Sequence, residues 1–394
     1  MWKEKLQQPE NRLVLGNERL LDTAFPLIAG KRLGLITNPS GVDSCLRTTA
    51  DRLHQIQGVE LVRLFGPEHG IRGDAADGVP VDAVRDRQTG VLAHSLYGGQ
   101  RQPDAAMLQN LDALIFDIQD VGVRFYTYLY TMSLSMAACA RCDLPFIVLD
   151  RPNPIGGSAV EGNVLDPAFA SFVGLYPIPI RYGMSVGELA RLFNEEFSLG
   201  AELHVVPMQS WSRSSYWEKT GLSWLPPSPN MPTVDTAVVY PGMCYFEGTN
   251  ISEGRGTTKP FEQVGAPFIE AARLADQLNT LELPGVLFRP VYFQPSAGKY
   301  AGAACQGFQV HVIDRQVFQP VRTGLEALAA IKRLWPQEFS WHIPPGGIHN
   351  FDRLAGTDQM RLALDAGTPV GELMASWEPE LQKFANLRKS YLLY

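Results

Sequence analysis

Apolar runs of strand length alternate with helical patterns through the first half of the chain. Arg32-Leu33-Gly34-Leu35-Ile36-Thr37-Asn38 reads as a strand closed by turn residues, and Val59-Glu60-Leu61-Val62-Arg63-Leu64-Phe65 as another that stops at Gly66-Pro67. The segments 113–118 and 146–150 are nearly continuous apolar runs, the pattern of strands in a parallel sheet covered on both faces. Helical spacing predicts helices at about 43–56, 103–110 and 127–142. Ser185-Val186-Gly187-Glu188 carries the capping-box pattern and opens a further helix to about Phe197, with Leu189, Leu192 and Phe193 on its packing face. Leu203-His204-Val205-Val206-Pro207 resumes the strands. This alternation predicts an α/β class with a Rossmann-like, mostly parallel sheet.

The texture changes between Pro260 and Pro267. A helix over about 267–279, β-type segments at 286–293 and 307–313, a helix around 321–335, a Pro/Gly break at 343–347 and C-terminal helices follow. The expected organisation is a Rossmann-like catalytic domain over 1–264 and a smaller α+β auxiliary domain over 265–394 that closes the active-site cleft. The stretch 211–234, rich in Trp and Pro, is expected to be a long functional loop over the site.

Composition narrows the function classes. The chain has 394 residues, 45% of them hydrophobic, and a formal net charge of −7, which argues against nucleic acid as the main partner because phosphate binding needs a basic face. No run approaches the roughly 18 apolar residues of a membrane span. The charged start Met1-Trp2-Lys3-Glu4-Lys5 lacks the apolar stretch of a secretory leader, so the expected compartment is the cytoplasm, or the outside for a protein whose leader has been removed. Five cysteines make no disulfide framework, and Cys139 and Cys142 end a helical apolar stretch and read as ordinary thiols. The fingerprints of nicotinamide, P-loop, zincin and nucleophile-elbow sites are missing, and the seven histidines show no helical pair, so no cofactor and no metal are expected.

Chemistry gathers at strand exits, where parallel sheets bind ligands. One strand runs into Gly66-Pro67-Glu68-His69-Gly70-Ile71-Arg72, a second into Gln119-Asp120-Val121-Gly122-Val123-Arg124-Phe125-Tyr126, and a third into Asp150-Arg151-Pro152-Asn153. Each delivers carboxylate, guanidinium and turn residues to one sheet edge. Glu68, held between a proline and a glycine, is the leading acid/base candidate. Asn153 and Glu161 are candidate hydroxyl binders. A further polar run, Glu247-Gly248-Thr249-Asn250-Ile251-Ser252-Glu253-Gly254-Arg255-Gly256-Thr257-Thr258, sets many donors and acceptors among three glycines. Aromatic residues threaded through these segments suit the apolar faces of a sugar ring.

These segments resemble the bacterial exo-β-N-acetylmuramidases of the NamZ/YbbC type. The motifs that carry the likeness include Gly34–Gly41, Phe65-Gly66-Pro67-Glu68-His69-Gly70, the run from Phe116 to Tyr128, Asp150–Pro154, Val160-Glu161-Gly162, Pro229-Asn230-Met231-Pro232-Thr233 and the run from Glu247 to Thr258. The resemblance implies a cleft between two domains that releases N-acetylmuramic acid from the non-reducing end of peptidoglycan fragments, with Glu68 as catalytic acid/base. Glycoside hydrolysis usually needs a second carboxyl, and Asp120, Glu247 and Glu253 are the candidates; the substrate's own acetamido group is the alternative nucleophile. The lactyl carboxylate of muramic acid suits an arginine, for which Arg124 and Arg255 are the first candidates and Arg72 the third. His69, Tyr126, Asn230, Asn250 and Thr257 complete the expected substrate-binding set. A non-catalytic peptidoglycan-binding protein on the same fold is the rival reading.

Overall fold

The computed structural model describes residues 12–68, 70–73, 84–345 and 347–394. In the first part of the chain the strands β1 (Arg32–Thr37), β2 (Glu60–Gly66), β3 (Val84–Arg85), β4 (Leu92–Ser95), β5 (Ala113–Asp117) and β6 (Phe146–Leu149) are followed by a two-stranded ribbon, β7 (Glu161–Val164) and β8 (Pro179–Arg181), and then β9 (Leu203–Val206). The helices here are α1 (Gly16–Leu20), α2 (Thr49–Gln55), α3 (Ala105–Leu108), α4 (Tyr128–Ala140) and α5 (Val186–Glu196). The main sheet has the order β3-β4-β2-β1-β5-β6-β9. All its pairings are parallel except that of β3 with β4 at one edge. Without β3, the order of the parallel strands is the doubly wound one, with the winding reversing between β1 and β5. A crevice is therefore expected outside the carboxyl ends of the strands near β1, β2 and β5.

Burial explains the sequence pattern. β5 and β6 are buried at every position, so they read as unbroken apolar runs rather than as alternation. The capping box of α5 forms as its sequence indicates: Glu188 N–H donates to Ser185 Oγ and Ser185 N–H donates to Glu188 Oε2.

The second part contains α6 (Val234–Met243), β10 (Gln263–Ala266), α7 (Ala271–Asn279), β11 (Val286–Phe293), β12 (Cys305–Val312), α8 (Pro320–Leu334), α9 (Asn350–Ala355), α10 (Gln359–Ala366) and α11 (Val370–Leu387). β10, β12 and β11 form an antiparallel sheet with β12 in the centre. α6 escapes periodicity because it is buried from Thr236 to Met243 and carries Pro241 inside it. It meets α8 at two glycines. A Cβ on Gly242 would lie 1.9 Å from the carbonyl oxygen of Pro320, and one on Gly324 would lie 2.3 Å from that of Gly242, so only glycine permits this approach.

A single large apolar cluster extends from one face of the main sheet through α4, α5 and α6 to β12, α8 and α11, while a smaller one around Leu33, Leu35, Ile115 and Ile147 backs the other face. The segment 211–234 is irregular apart from a 3-10 turn at Trp217–Thr220. It is tied over the strand ends, where Asn38 Nδ2 and Tyr128 OH both donate to the carbonyl of Pro227. Among the described residues no helix is long and apolar enough to cross a membrane.

Candidate active site

Two adjoining cavities open at the carboxyl edge of the main sheet. The outer one, of about 730 Å³, is lined by Glu68, Tyr97, Arg101, Thr127, Phe172, Glu247, Asn350 and Arg353, among others. The inner one, of about 170 Å³, is lined by Glu68, Phe125, Tyr126, Tyr128, Ser228, Asn230, Tyr240, Glu247, Arg255 and Phe261, among others. Glu68 and Glu247 are the two carboxylates common to both linings. Glu68 sits in the turn directly after β2, and Glu247 in the 3-10 turn Cys244–Gly248 that follows α6. Each part of the chain thus contributes one acid to the cleft.

The inner cavity is largely aromatic. Tyr126 meets Tyr128 edge-on at 4.9 Å between ring centres, and Tyr240 meets Phe261 likewise at 4.7 Å. Such rings offer flat apolar faces with polar rims. Arg255 donates to Glu247 Oε1 through Nε at 3.0 Å and Nη2 at 2.8 Å, and its guanidinium lies 5.3 Å from the centre of the Phe261 ring. Burial pushes the Glu247 carboxyl above its ordinary value, and Arg255 pulls it back only in part. Both bonds fall on Oε1, which leaves Oε2 of Glu247 for a ligand.

Of the other residues expected at the site, Tyr126 and Asn230 line the inner cavity, and His69 lies outside the described residues. The rest are engaged elsewhere. Arg124 is fully buried and donates to four carbonyls, those of Asn163, Ile178, Leu354 and Ala355, at 2.6–3.1 Å. It cannot meet a lactyl carboxylate; it is a strut between the two parts of the chain. Arg72 is bonded to Asp86 and Asp51. Asp120 is buried, accepting from Gly122 N–H at 2.7 Å and from the Tyr182 hydroxyl, and burial pushes its carboxyl up to about 6. It closes the turn after β5 and lines neither cavity. Asn153 donates to Met184 O and accepts from Ile155 N–H, a turn-forming arrangement, and Glu161 is paired with Arg181.

The polar run at 247–258 divides in the same way. Glu253 is buried against Lys299 Nζ at 2.9 Å, with Arg255 Nε 3.6 Å away. Asn250 clamps the backbone of Glu338 and Ser340, and Thr257 Oγ1 donates to Gly254 O within a turn. Gly254 and Gly256 take positive φ, which turns the chain so that Arg255 reaches Glu247. Only Glu247 and Arg255 of this run line the two cavities.

Sequence reasoning missed Arg101, Phe172, Asn350 and Arg353, all in the lining of the outer cavity. Arg101 lies in the loop after β4 with its guanidinium 4.3 Å from the centre of the Phe172 ring. β4 is a short strand on the edge side of the sheet, and α9 is six residues long, so neither left a periodic signal. Among the described residues no group of three His, Cys, Asp or Glu is placed to hold a metal ion.

Two acids thus share one aromatic cleft at the carboxyl edge of a doubly wound sheet. The chain belongs to the exo-β-N-acetylmuramidase NamZ family, matching its N-terminal domain over residues 33–235 and its C-terminal domain over residues 238–394. It is 50% identical over 378 residues to the peptidoglycan β-N-acetylmuramidase NamZ of Bacillus subtilis (strain 168), covering 95% of this chain and 90% of that protein. Two crystal structures of DUF1343 family proteins from Bacteroides fragilis share the fold. One is 38% identical with a TM-score of 0.91 and covers 98% of this chain and 100% of that one. The other is 30% identical with a TM-score of 0.76, over 97% and 99%. The protein is a glycosidase.

Proposed function

We propose that this chain releases N-acetylmuramic acid from the non-reducing end of peptidoglycan fragments during cell-wall turnover and recycling, with Glu68 as proton donor and Glu247 as the second carboxyl. The observation that carries the assignment of roles is that, among the described residues, these are the two acids that line both adjoining cavities. The ring of the terminal sugar occupies the inner cavity against Tyr126, Tyr128 and Tyr240, while its lactyl group and the remainder of the saccharide reach into the outer one. The inner cavity, of about 170 Å³, is the smaller of the two, which supports its taking the sugar at a chain end.

Cleavage passes through an oxocarbenium-like state. Glu68, at the boundary between the cavities, gives its proton to the bridging oxygen as the bond to the anomeric carbon breaks. Glu247, oriented by Arg255 through Oε1, presents Oε2 to the sugar and offsets the positive charge that develops on the ring. Glu68, now ionised, is placed to take a proton from the water that completes hydrolysis. Of the three candidates for a second carboxyl, Asp120 and Glu253 are tied into buried networks, which favours Glu247.

The test is incubation of the protein with a muramic-acid–glucosamine disaccharide and with longer chains ending in muramic acid, with products read by mass. Free N-acetylmuramic acid and chains shortened by one sugar are expected. Internal cleavage products would contradict the exo assignment, and sugar binding without turnover at any pH would favour a non-catalytic binding protein.

A further inference from the structure

A muramic acid substrate brings its own anion, the lactyl carboxylate, and the cleft must meet it. The arginines near the site are not equally free to do so. Arg124 is engaged by carbonyls, Arg72 by two aspartates, Arg151 by Asp117, Arg181 by Glu161, and Arg255 by Glu247. Arg353 is different. It projects from α9 into the outer cavity, is half-buried, and has no carboxylate within ion-pair distance among the described residues. A guanidinium in a cleft with no acid partner is open to an anionic ligand.

Its setting supports a binding role. α9 packs on the 3-10 turn that carries Glu247, and Asn350, one turn earlier on the same helix, lines the same cavity. Phe351 between them is fully buried against Tyr245 and Trp341, which fixes the helix and hence the direction of Arg353. Arg101, which likewise has no carboxylate within ion-pair distance among the described residues, is exposed and stacked on Phe172, and it also lines a second surface cavity with Arg141. That places Arg101 toward the outer, leaving-group side.

We propose that Arg353 receives the lactyl carboxylate of the terminal muramic acid and is the residue by which the cleft distinguishes muramic acid from N-acetylglucosamine. The inference rests on the muramidase reading above. A bidentate guanidinium–carboxylate pair supplies both charge and geometry, and a sugar lacking the lactyl group leaves Arg353 unpaired.

The experiment compares kcat/KM for an aryl N-acetylmuramide and for its lactyl amide, in the unaltered protein and in Arg353→Ala, Arg353→Lys and Arg101→Ala. The unaltered protein is expected to favour the free acid by roughly 10- to 100-fold, the worth of a charge-assisted hydrogen bond. Arg353→Ala is expected to lose that preference by slowing on the acid alone, and Arg353→Lys to recover part of it. Equal rates on acid and amide in the unaltered protein would overturn the proposal without any variant having to fold. So would a preference that survives in Arg353→Ala or disappears only in Arg101→Ala. In each case cleavage of the muramide would continue and the muramidase reading would stand, whereas no cleavage of either substrate by the unaltered protein would overturn both.

Discussion

At the scale of single residues, the cleft separates side chains that face a ligand from similar ones that hold the frame. Glu247 and Glu253 lie in the same polar run, yet Glu253 is neutralised by Lys299 while Glu247 lines the cavity with one oxygen uncommitted. Arg255 sets the charge state of Glu247, because burial raises that carboxyl and the guanidinium opposes the rise. Arg255→Leu therefore lifts the Glu247 carboxyl further, and a proton is retained to higher pH. The acid limb of the kcat/KM profile is expected to move toward neutral pH, with the loss of activity largest below that limb; an unshifted limb would remove Glu247 from the titrating machinery. Glu68, Glu247 and Arg255 were legible as site candidates because polar groups beside glycine and proline turns have no core-building use, Tyr126 as one of the aromatic residues threaded through them, and Asn230 only through the family resemblance. Arg124 and Asp120 carried the same signal for another reason: a buried strut and a buried turn closure also need polar atoms. Sequence pattern cannot tell a carbonyl that will lie beside Arg124 from a carboxylate that will.

At the scale of elements, the longer parallel strands announced themselves, while the four-residue β4 and the connectors did not. β1, β2, β5, β6, β9 and β11 fall where unbroken or alternating apolar runs put them. α6 was hidden because burial on all sides removes the helical period, and α9 because six residues hold too little pattern. The turn after β5 makes a prediction of its own. Asp120 accepts both of its bonds on Oδ2, while Oδ1 is buried without a partner. Burial raises its carboxyl from 3.8 to about 6 in the folded chain. The folded state thus binds more protons than the unfolded state between those values, so this group's contribution is complete below about pH 4 and is lost as pH rises through about 6. Asp120→Asn keeps an acceptor for Gly122 N–H and the Tyr182 hydroxyl and removes the titration. Urea unfolding at pH 4.5 and pH 7 is expected to show a smaller difference in the variant than in the parent, by up to about 2 kcal/mol. An unchanged difference would mean that Asp120 does not titrate in the folded chain.

At the scale of the whole molecule, neither half holds a complete cleft. Glu68, Arg101, Tyr126 and Phe172 come from the first part, and Glu247, Arg255, Asn350 and Arg353 from the second. Arg124 joins them from below, its guanidinium bonding Asn163 and Ile178 on one side and the end of α9 on the other. The change of texture near residue 260 set the expected boundary there, but α6, which precedes it, packs on α8 of the second part. Because Glu68 stands where the cavities meet, the central claim is that it delivers the proton to the departing oxygen. The most direct test compares Glu68→Gln with the parent on two substrates, a muramic-acid–glucosamine disaccharide, whose leaving group needs that proton, and a nitrophenyl muramide, whose leaving group departs without one. The account predicts a loss of roughly 10²- to 10⁴-fold on the disaccharide and a far smaller loss on the nitrophenyl compound. Equal losses on both, or a folded variant that still cleaves the disaccharide at the parent rate, would contradict it.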